Sequence, residues 1–306
     1  MSASKIMPLD LAIRQLTTDG MSLALGTALE GMIPFAAGHE IIRQGKKDLT
    51  LIGPISDILF DQLIGAGRVA RVIAAWVGNV TSGAGYNFRR AVEQGHPRSI
   101  EVLDHSNYSL ALALAAGAAG TEFAVTRSLF GSDISLNQDI FRELICPFTG
   151  ERHLAVRAIR PDLTILHVQR CDSRGNAHFW GSSGVSLDAA AAADRVLLTT
   201  EEIVPTELIR SDPNRTFIPE FLVSAVALVP WGAHPSSVYG FYGHDDDYYI
   251  EYAQATKDRA AAQAWYREWV FGLPDRPAYL QHLDPTRLAR LRLTHPALTI
   301  PVDFGY

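Results

Sequence analysis

The sequence predicts an α/β protein: an open, mainly parallel sheet with helices on both faces, an inserted irregular cap and a helical C-terminal tail. Three observations carry this. Short runs rich in Val, Ile and Leu alternate with runs of helical spacing, roughly 20–30 residues per unit. Most of the helical runs stop on a glycine. Strands alternating with whole helices predict a parallel sheet, and right-handed crossovers place helices on both of its faces.

Residues 9–16 read as a helix, with Leu9, Ala12, Ile13 and Leu16 on one side and Asp10 and Arg14 on the other. Asp19-Gly20 stops it. Residues 22–25 are an apolar strand, followed by a loop ending at Pro34. A helix over 35–44 closes at Gly45, and 49–52 is the next strand. Residues 57–64 are helical and 69–77 form a Val/Ile-rich strand. The polar glycine loop 78–85 leads into a helix ending at Gln94. Strand 100–103 then precedes an Ala/Leu-rich helix over 108–119. Residues 123–156 break the rhythm with Pro147 and Thr149-Gly150, and read as the inserted cap or a hairpin. Strand 163–169 turns at Asp172-Ser173-Arg174-Gly175-Asn176 into a returning strand, 177–180. A helix over 187–193 and strands 196–199 and 225–229 complete the sheet. Residues 250–292 form the tail, with Trp265, Trp269 and Phe271 expected to clamp onto the body or a partner. No internal repeat or low-complexity linker divides the chain, so 1–306 reads as a single unit.

Composition narrows the function. A net charge of -6 gives no pull toward nucleic acid or anionic membrane. Apolar stretches such as 111–116 fall far short of the ~20 residues of a membrane span. Cys146 and Cys171 are too few for a disulfide framework or a two-CxxC metal site. Residues 1–10 lack the apolar segment of a signal peptide, and a cytoplasmic location is the expectation.

Several catalytic signatures are missing: GxGxxG, the P-loop, G-x-S-x-G and the HExxH zinc helix. His39-Glu40 reads as part of an ordinary amphipathic helix, and His244-Asp245-Asp246-Asp247 as a solvated turn; no metal site is expected. What remains is three glycine loops at the carboxyl ends of strands, where open α/β sheets bind ligands: 26–34, 78–85 and 231–236. Their free N–H groups and small side chains suit an anion or a developing oxyanion. From these loops Gly26, Thr27, Glu30, Asn79, Ser82 and Gly83 are candidate substrate-binding residues. Asn79 and Ser82 would donate to an acyl or carboxylate group, or else cap the following helix. His105 and Ser106 lie between a strand and a helix, and are ligand-binding candidates with a capping alternative for Ser106. Gly232, His234 and Pro235 would shape a loop or an interface. Glu201 and Glu202 read as structural acceptors, and of Arg89-Arg90 at least one must face solvent. The aromatic set Tyr239, Phe241, Tyr242, Tyr248 and Tyr249 suits an interface or a core.

Several strings, in order, resemble the alpha (A-type) chains of family I coenzyme A transferases, closest to the glutaconate and 3-oxoadipate branch. They are 41–50 (IIRQGKKDLT), 61–67 (DQLIGAG), 172–176 with Trp180-Gly181, 199–203 (TTEEI), and 232–236 (GAHPS) with Tyr239-Gly240-Phe241-Tyr242. The likeness runs over about residues 9–283. It implies the CoA-transferase, NagB/RpiA-like version of the fold, and CoA as a substrate with no permanently bound cofactor. It also implies a B subunit in an A2B2 or larger assembly, with acyl-CoA and a small carboxylic acid as the molecules handled. In the family the acyl-CoA is attacked by a glutamate that the B subunit carries, and the reaction passes through an anhydride to a glutamyl-CoA thioester, in ping-pong fashion. The B-type Ser-Glu-Asn-Gly motif is absent here, so no nucleophile is expected in this chain; Glu30 would serve only if the chain were self-sufficient.

The family's Asp-Gly, apolar triplet, Gly-Gly-Phe and Pro correspond to Asp19-Gly20, Leu23-Ala24-Leu25, Gly26-Thr27-Ala28 and Pro34, with Thr27 and Ala28 departing from the pattern. A steroid-ring hydrolase branch has an acid near the position of His105. The histidine favours transfer over ring-opening or acyl-CoA hydrolysis, and a non-catalytic ligand-binding module is the remaining alternative.

Overall fold

The computed structural model describes residues 4–55 and 57–293. Seven parallel strands form the main sheet: β1 (Ser22–Ala24), β2 (Leu49–Ile55), β3 (Val69–Trp76), β4 (Glu101–Asp104), β5 (Leu163–Cys171), β6 (Val196–Ile203) and β7 (Ala225–Leu228). Their order is β4-β3-β2-β1-β5-β6-β7. The upper half of β5 extends past the short β1 and pairs antiparallel with Ala177–His178, which pairs in turn with Thr216–Ile218. The near-continuous burial of β2, β5 and β6 is what a parallel sheet covered on both faces requires.

One face is covered by α1 (Leu9–Leu16), α2 (Phe35–Arg43), α3 (Asp57–Gly65) and α4 (Tyr86–Gln94), backed by the C-terminal helices. The other is covered by α5 (Asn107–Ala118) and α6 (Ser186–Ala192), whose Leu110, Leu114 and Ala189 pack on Ala24 and Ile52. α2 is buried from Phe35 to Ile42, so its expected amphipathic character gives way to a core helix between sheet and tail. His39 there bonds Gln62 at 3.0 Å.

The chain adds α7 (Thr206–Ser211), α8 (Asp246–Lys257), α9 (Arg259–Tyr266), a π-helical turn Arg267–Phe271, α10 (Arg276–His282) and α11 (Pro285–Leu291). α7 and the strand Thr216–Ile218 were not expected. Both lie in a polar, proline-broken stretch that carries no periodic signal. The inserted cap is present and is regular: a hairpin, Phe141–Ile145 with Arg152–Arg157, joined by Phe123–Thr126 into a three-stranded antiparallel sheet packed on α5 through Phe141 and Val156. The tail clamps the body: Trp265 is buried edge-on against Tyr252 at 4.8 Å, while Phe271 stays exposed. Tyr242, Tyr248, Tyr249 and Tyr252 are core residues.

Candidate active-site edge

The strand order reverses between β1 and β5: the chain winds outward through β2, β3 and β4, then returns and winds the other way. The carboxyl ends of β1 and β5 therefore flank a topological switch point, where doubly wound sheets bind ligands. The loops leaving this edge pack on one another. Met32 N–H donates to the Ser237 carbonyl at 2.9 Å, Ile33 N–H to Ser236 Oγ at 3.1 Å, and Ala36 N–H to the Gly232 carbonyl at 2.9 Å. Val185 N–H donates to the Thr27 carbonyl at 2.8 Å, and Thr27 Oγ1 lies 2.8 Å from Ser186 Oγ. Glycine is needed where loops touch. A Cβ on Gly184, already at φ +50°, would run into the Thr27 carbonyl. One on Gly31 would press on the Tyr239 hydroxyl at 3.1 Å.

Within the β1 loop, Gly26 and Leu29 have φ of 62° and 67°. The backbone N–H groups of Thr27, Ala28, Leu29 and Glu30 meet no acceptor among the described residues. A run of amides freed by left-handed residues is the kind of concavity that binds anions. Glu30 is exposed at its mouth.

Beside it, at the end of β2, Asp57 is buried in a left-handed conformation (φ 47°) and accepts from the Tyr249 hydroxyl and from Val80 N–H at 3.3 Å. Burial pushes its carboxyl up to about 7 against those hydrogen bonds, and the charge of Glu30 adds to the rise.

The loop after β3 forms a small hairpin, Gly78–Asn79 with Gly83–Ala84. Asn79 is buried. Its Nδ2 donates to the Tyr249 carbonyl at 2.8 Å, and its Oδ1 accepts from Thr81 and Ser82 N–H at 3.0 and 2.8 Å. Its side chain thus builds the loop, and Ser82 and Gly83 form the exposed tip. α4 starts after Gly85 with no side-chain cap, so neither Asn79 nor Ser82 caps it.

The β6–β7 side is closed by contrast. The Glu201 carboxylate is buried and receives Trp231 N–H at 2.7 Å, the Tyr242 hydroxyl at 2.8 Å and His167 Nε2 at 2.8 Å. His234 is 0% exposed, between the Tyr279 hydroxyl and Asp245 Oδ2, each at 2.9 Å. Burial pushes its imidazole down to about 4 in spite of Asp245. Burial pushes Asp245 up, but the hydrogen bonds from His234 and Arg287 win and hold it at about 2. Asp245 is therefore no solvated turn residue. It caps α8 and pairs with Arg287 at 2.6 Å. Arg276 ties down the carbonyls of Trp231 and His234. Gly232, His234 and Pro235 are all buried within the chain, and His234 shapes its loop from inside.

His105 and Ser106 follow β4, three strand spacings or roughly 14 Å from β1. Ser106 is the N-cap of α5 in a reciprocal capping box with Ser109. His105 Nδ1 lies 3.0 Å from Ser109 Oγ, its ring packs on Phe141, and burial pushes it down to about 4. Arg89 faces solvent with Glu93, while Arg90 holds Asn87 at 2.6 Å and the Thr256 carbonyl at 2.8 Å.

The sequence did not single out Asp57, His167, Arg276 or the placement of Tyr239. Their partners come from segments far away along the chain, which local spacing and turn chemistry cannot pair. Among the described residues no group of three or more His, Cys, Asp or Glu is placed to hold a metal. None of the described helices is long and apolar enough to cross a membrane.

Residues 6–228 match the coenzyme A transferase family model. The chain belongs to that family. Over 272 residues it is 40% identical to the A-type chain of 3-oxoadipate CoA-transferase from Pseudomonas knackmussii, covering 89% of this chain and 95% of that one. It is 33% identical over 317 residues to the A-type chain of glutaconate CoA-transferase from Acidaminococcus fermentans, covering 98% of each. The crystal structure of that enzyme superposes with a TM-score of 0.90, covering 98% of this chain and 99% of that one. The IpdA subunit of a cholesterol ring-cleaving hydrolase from Mycobacterium tuberculosis is more distant, 29% identical over 278 residues, 86% of this chain and 92% of that one. Within the CoA-transferase family the chain thus sits among the A-type, or alpha, chains.

Proposed function

We propose that this chain works with a separate B subunit, in an A2B2 or larger assembly. Together they would move CoA from an acyl-CoA such as succinyl-CoA to a dicarboxylic or 3-oxo acid such as 3-oxoadipate or glutaconate. The thioester carbonyl is attacked by a glutamate carboxylate on the B subunit, the C–S bond breaks, and CoA thiolate leaves an acyl-glutamyl anhydride. The thiolate then attacks the glutamyl carbonyl, releasing the first acid and leaving a glutamyl-CoA thioester. The acceptor carboxylate runs these steps in reverse. CoA is a substrate, and no resident cofactor takes part.

One observation carries this reading. The switch-point edge presents N–H groups of residues 27–30 that meet no acceptor among the described residues, suited to an oxyanion, while the carboxylates Glu201, Asp57 and Asp245 are all committed inside the chain. The edge supplies donors; Glu30 stands exposed at its mouth, and the trapping test below decides between it and the B-subunit glutamate as nucleophile. Gly26, Thr27, Glu30 and the Ser82-Gly83 tip would line the shared cavity.

The test is purification of the chain alone and with the B-type product of its neighbouring gene. Thioester exchange requires both chains, and hydroxylamine trapping of the CoA-loaded complex modifies the partner. Turnover by this chain alone, or modification of Glu30, overturns the reading.

A further inference from the structure

Two hydroxyls crowd one glycine at the switch-point edge. Gly31, in the loop after β1, bridges in parallel to Ser237 in the loop after β7. A Cβ on Gly31 would lie 3.3 Å from Ser237 Oγ and 3.1 Å from Tyr239 Oη. The Tyr239 ring is also pressed against Gly181, where a Cβ would run into ring carbon Cδ2. Glycines from two separate loops thus leave room for this one ring and hold it in place. Neither hydroxyl makes a hydrogen bond among the described residues. Tyr239 is engaged there only through its carbonyl, which accepts from Gln169 Nε2 at 3.4 Å, and Ser237 only through its own, which accepts from Met32 N–H at 2.9 Å. This sets Tyr239 apart from Tyr242, Tyr249, Tyr252, Tyr266 and Tyr279, whose hydroxyls are all bonded inside the chain. Ser237 and Tyr239 are both half-buried, and neither hydroxyl is sealed from solvent.

A clamped ring whose hydroxyl is not used by the fold is preorganised to serve a ligand. We propose that the Ser237 and Tyr239 hydroxyls contact the acyl group at the edge where the amides of 27–30 lie, with Tyr239 Oη donating to the carbonyl oxygen as it gains charge. This rests on the function proposed above. Gly31 directly follows those amides, so the hydroxyls continue the same row of donors from a second loop. That loop is fixed by the buried partners of Glu201 and His234, which gives the donors a rigid mount. No bond to Ser237 or Tyr239 forms or breaks. Each hydroxyl keeps its proton and turns it to the oxygen while the charge there rises and falls.

The test uses the A–B complex, assayed with succinyl-CoA and titrated by calorimetry with a succinyl-CoA analogue in which a methylene replaces the thioester sulfur. The analogue keeps the carbonyl oxygen and has no thiolate to lose. Tyr239→Phe lowers kcat/KM about tenfold or more, because the lost hydrogen bond is stronger once the oxygen is charged. It weakens the analogue only about threefold, as loss of one neutral hydrogen bond predicts. Ser237→Ala acts in the same direction. Both variants melt with the wild type, since neither removes a hydrogen bond from the fold. Wild-type kcat/KM and analogue affinity in both variants, or a loss matched by a lowered melting temperature, overturns the proposal and leaves the transferase reading intact. If the complex exchanges no thioester but analogue affinity still depends on Tyr239, the transferase reading fails and the hydroxyl assignment stands. A complex that does neither removes both.

Discussion

The two sides of the carboxyl edge are built on opposite principles. On the β6–β7 side buried side chains tie the loops together: Glu201 takes three donors, His234 takes two partners, and Arg276 ties the loop from below. On the β1–β3 side the amides of 27–30 meet no acceptor among the described residues, Glu30 and Ser82 are exposed, and Asp57 is strained. A satisfied buried network rigidifies; donors left without a protein acceptor are available to a ligand. The closed side is a buttress that fixes the loops of the open side, and the open side is where chemistry fits.

The largest test of that contrast is Glu201→Ala. Removing the carboxylate strands Trp231 N–H, the Tyr242 hydroxyl and His167 Nε2 in the interior. Orphaning buried partners of a charge costs about 3–5 kcal/mol. Urea denaturation should show a loss of that size with the m-value retained. A loss below about 1 kcal/mol would mean that the buttress is not one.

The next test separates the sides by pH. His234 is held near 4, below its unfolded value, so the unfolded chain binds the extra proton between about pH 4 and 6.5 and stability rises with pH across that window. His105, also pushed down to about 4 by burial, acts in the same direction. Asp57 does the reverse. Its folded value of about 7 lies above the unfolded one, so the folded chain holds the extra proton and stability falls as pH rises from about 4 to 7. Each group alone contributes at most about 1.4 kcal/mol per pH unit. The wild-type profile should therefore be flattened, and Asp57→Asn should unmask a rise between pH 4 and 6.5. If the Asp57→Asn profile parallels wild type, Asp57 is ionised in the fold and the strained corner stores no proton.

What could be read in the sequence follows the same division. The glycine loops and the strand and helix alternation were legible because turns and periodicity are local; the reversal of strand order between β1 and β5 was not. The ends of β5 and β6, which run on to Cys171 and Ile203, were underestimated, because Arg170, Glu201 and Glu202 look like loop residues until the sheet pairs them. The acceptor role of Glu201 was legible; its three donors were not, since Trp231 and Tyr242 are 30 and 41 positions away. The family strings supplied the likeness to the alpha chains of CoA-transferases, but no string says that Asn79 faces inward and Ser82 outward.

That difference within one loop gives the smallest and sharpest prediction. Asn79 and Ser82 were equivalent in the sequence as small polar residues of a glycine turn. In the fold Asn79 holds the Tyr249 carbonyl and two amides of its own loop, whereas the Ser82 side chain makes no hydrogen bond among the described residues. Asn79→Ala should cost about 1–2 kcal/mol, because it leaves buried groups unpaired. Ser82→Ala, at an exposed tip, should change stability by less than about 0.5 kcal/mol. If Ser82 reaches ligand, the same substitution raises KM or lowers kcat of the complex while its melting curve is unmoved. A Ser82→Ala complex with wild-type kcat and KM removes the β3 loop from the site. A destabilisation equal to that of Asn79→Ala would show instead that the whole loop belongs to the buttress.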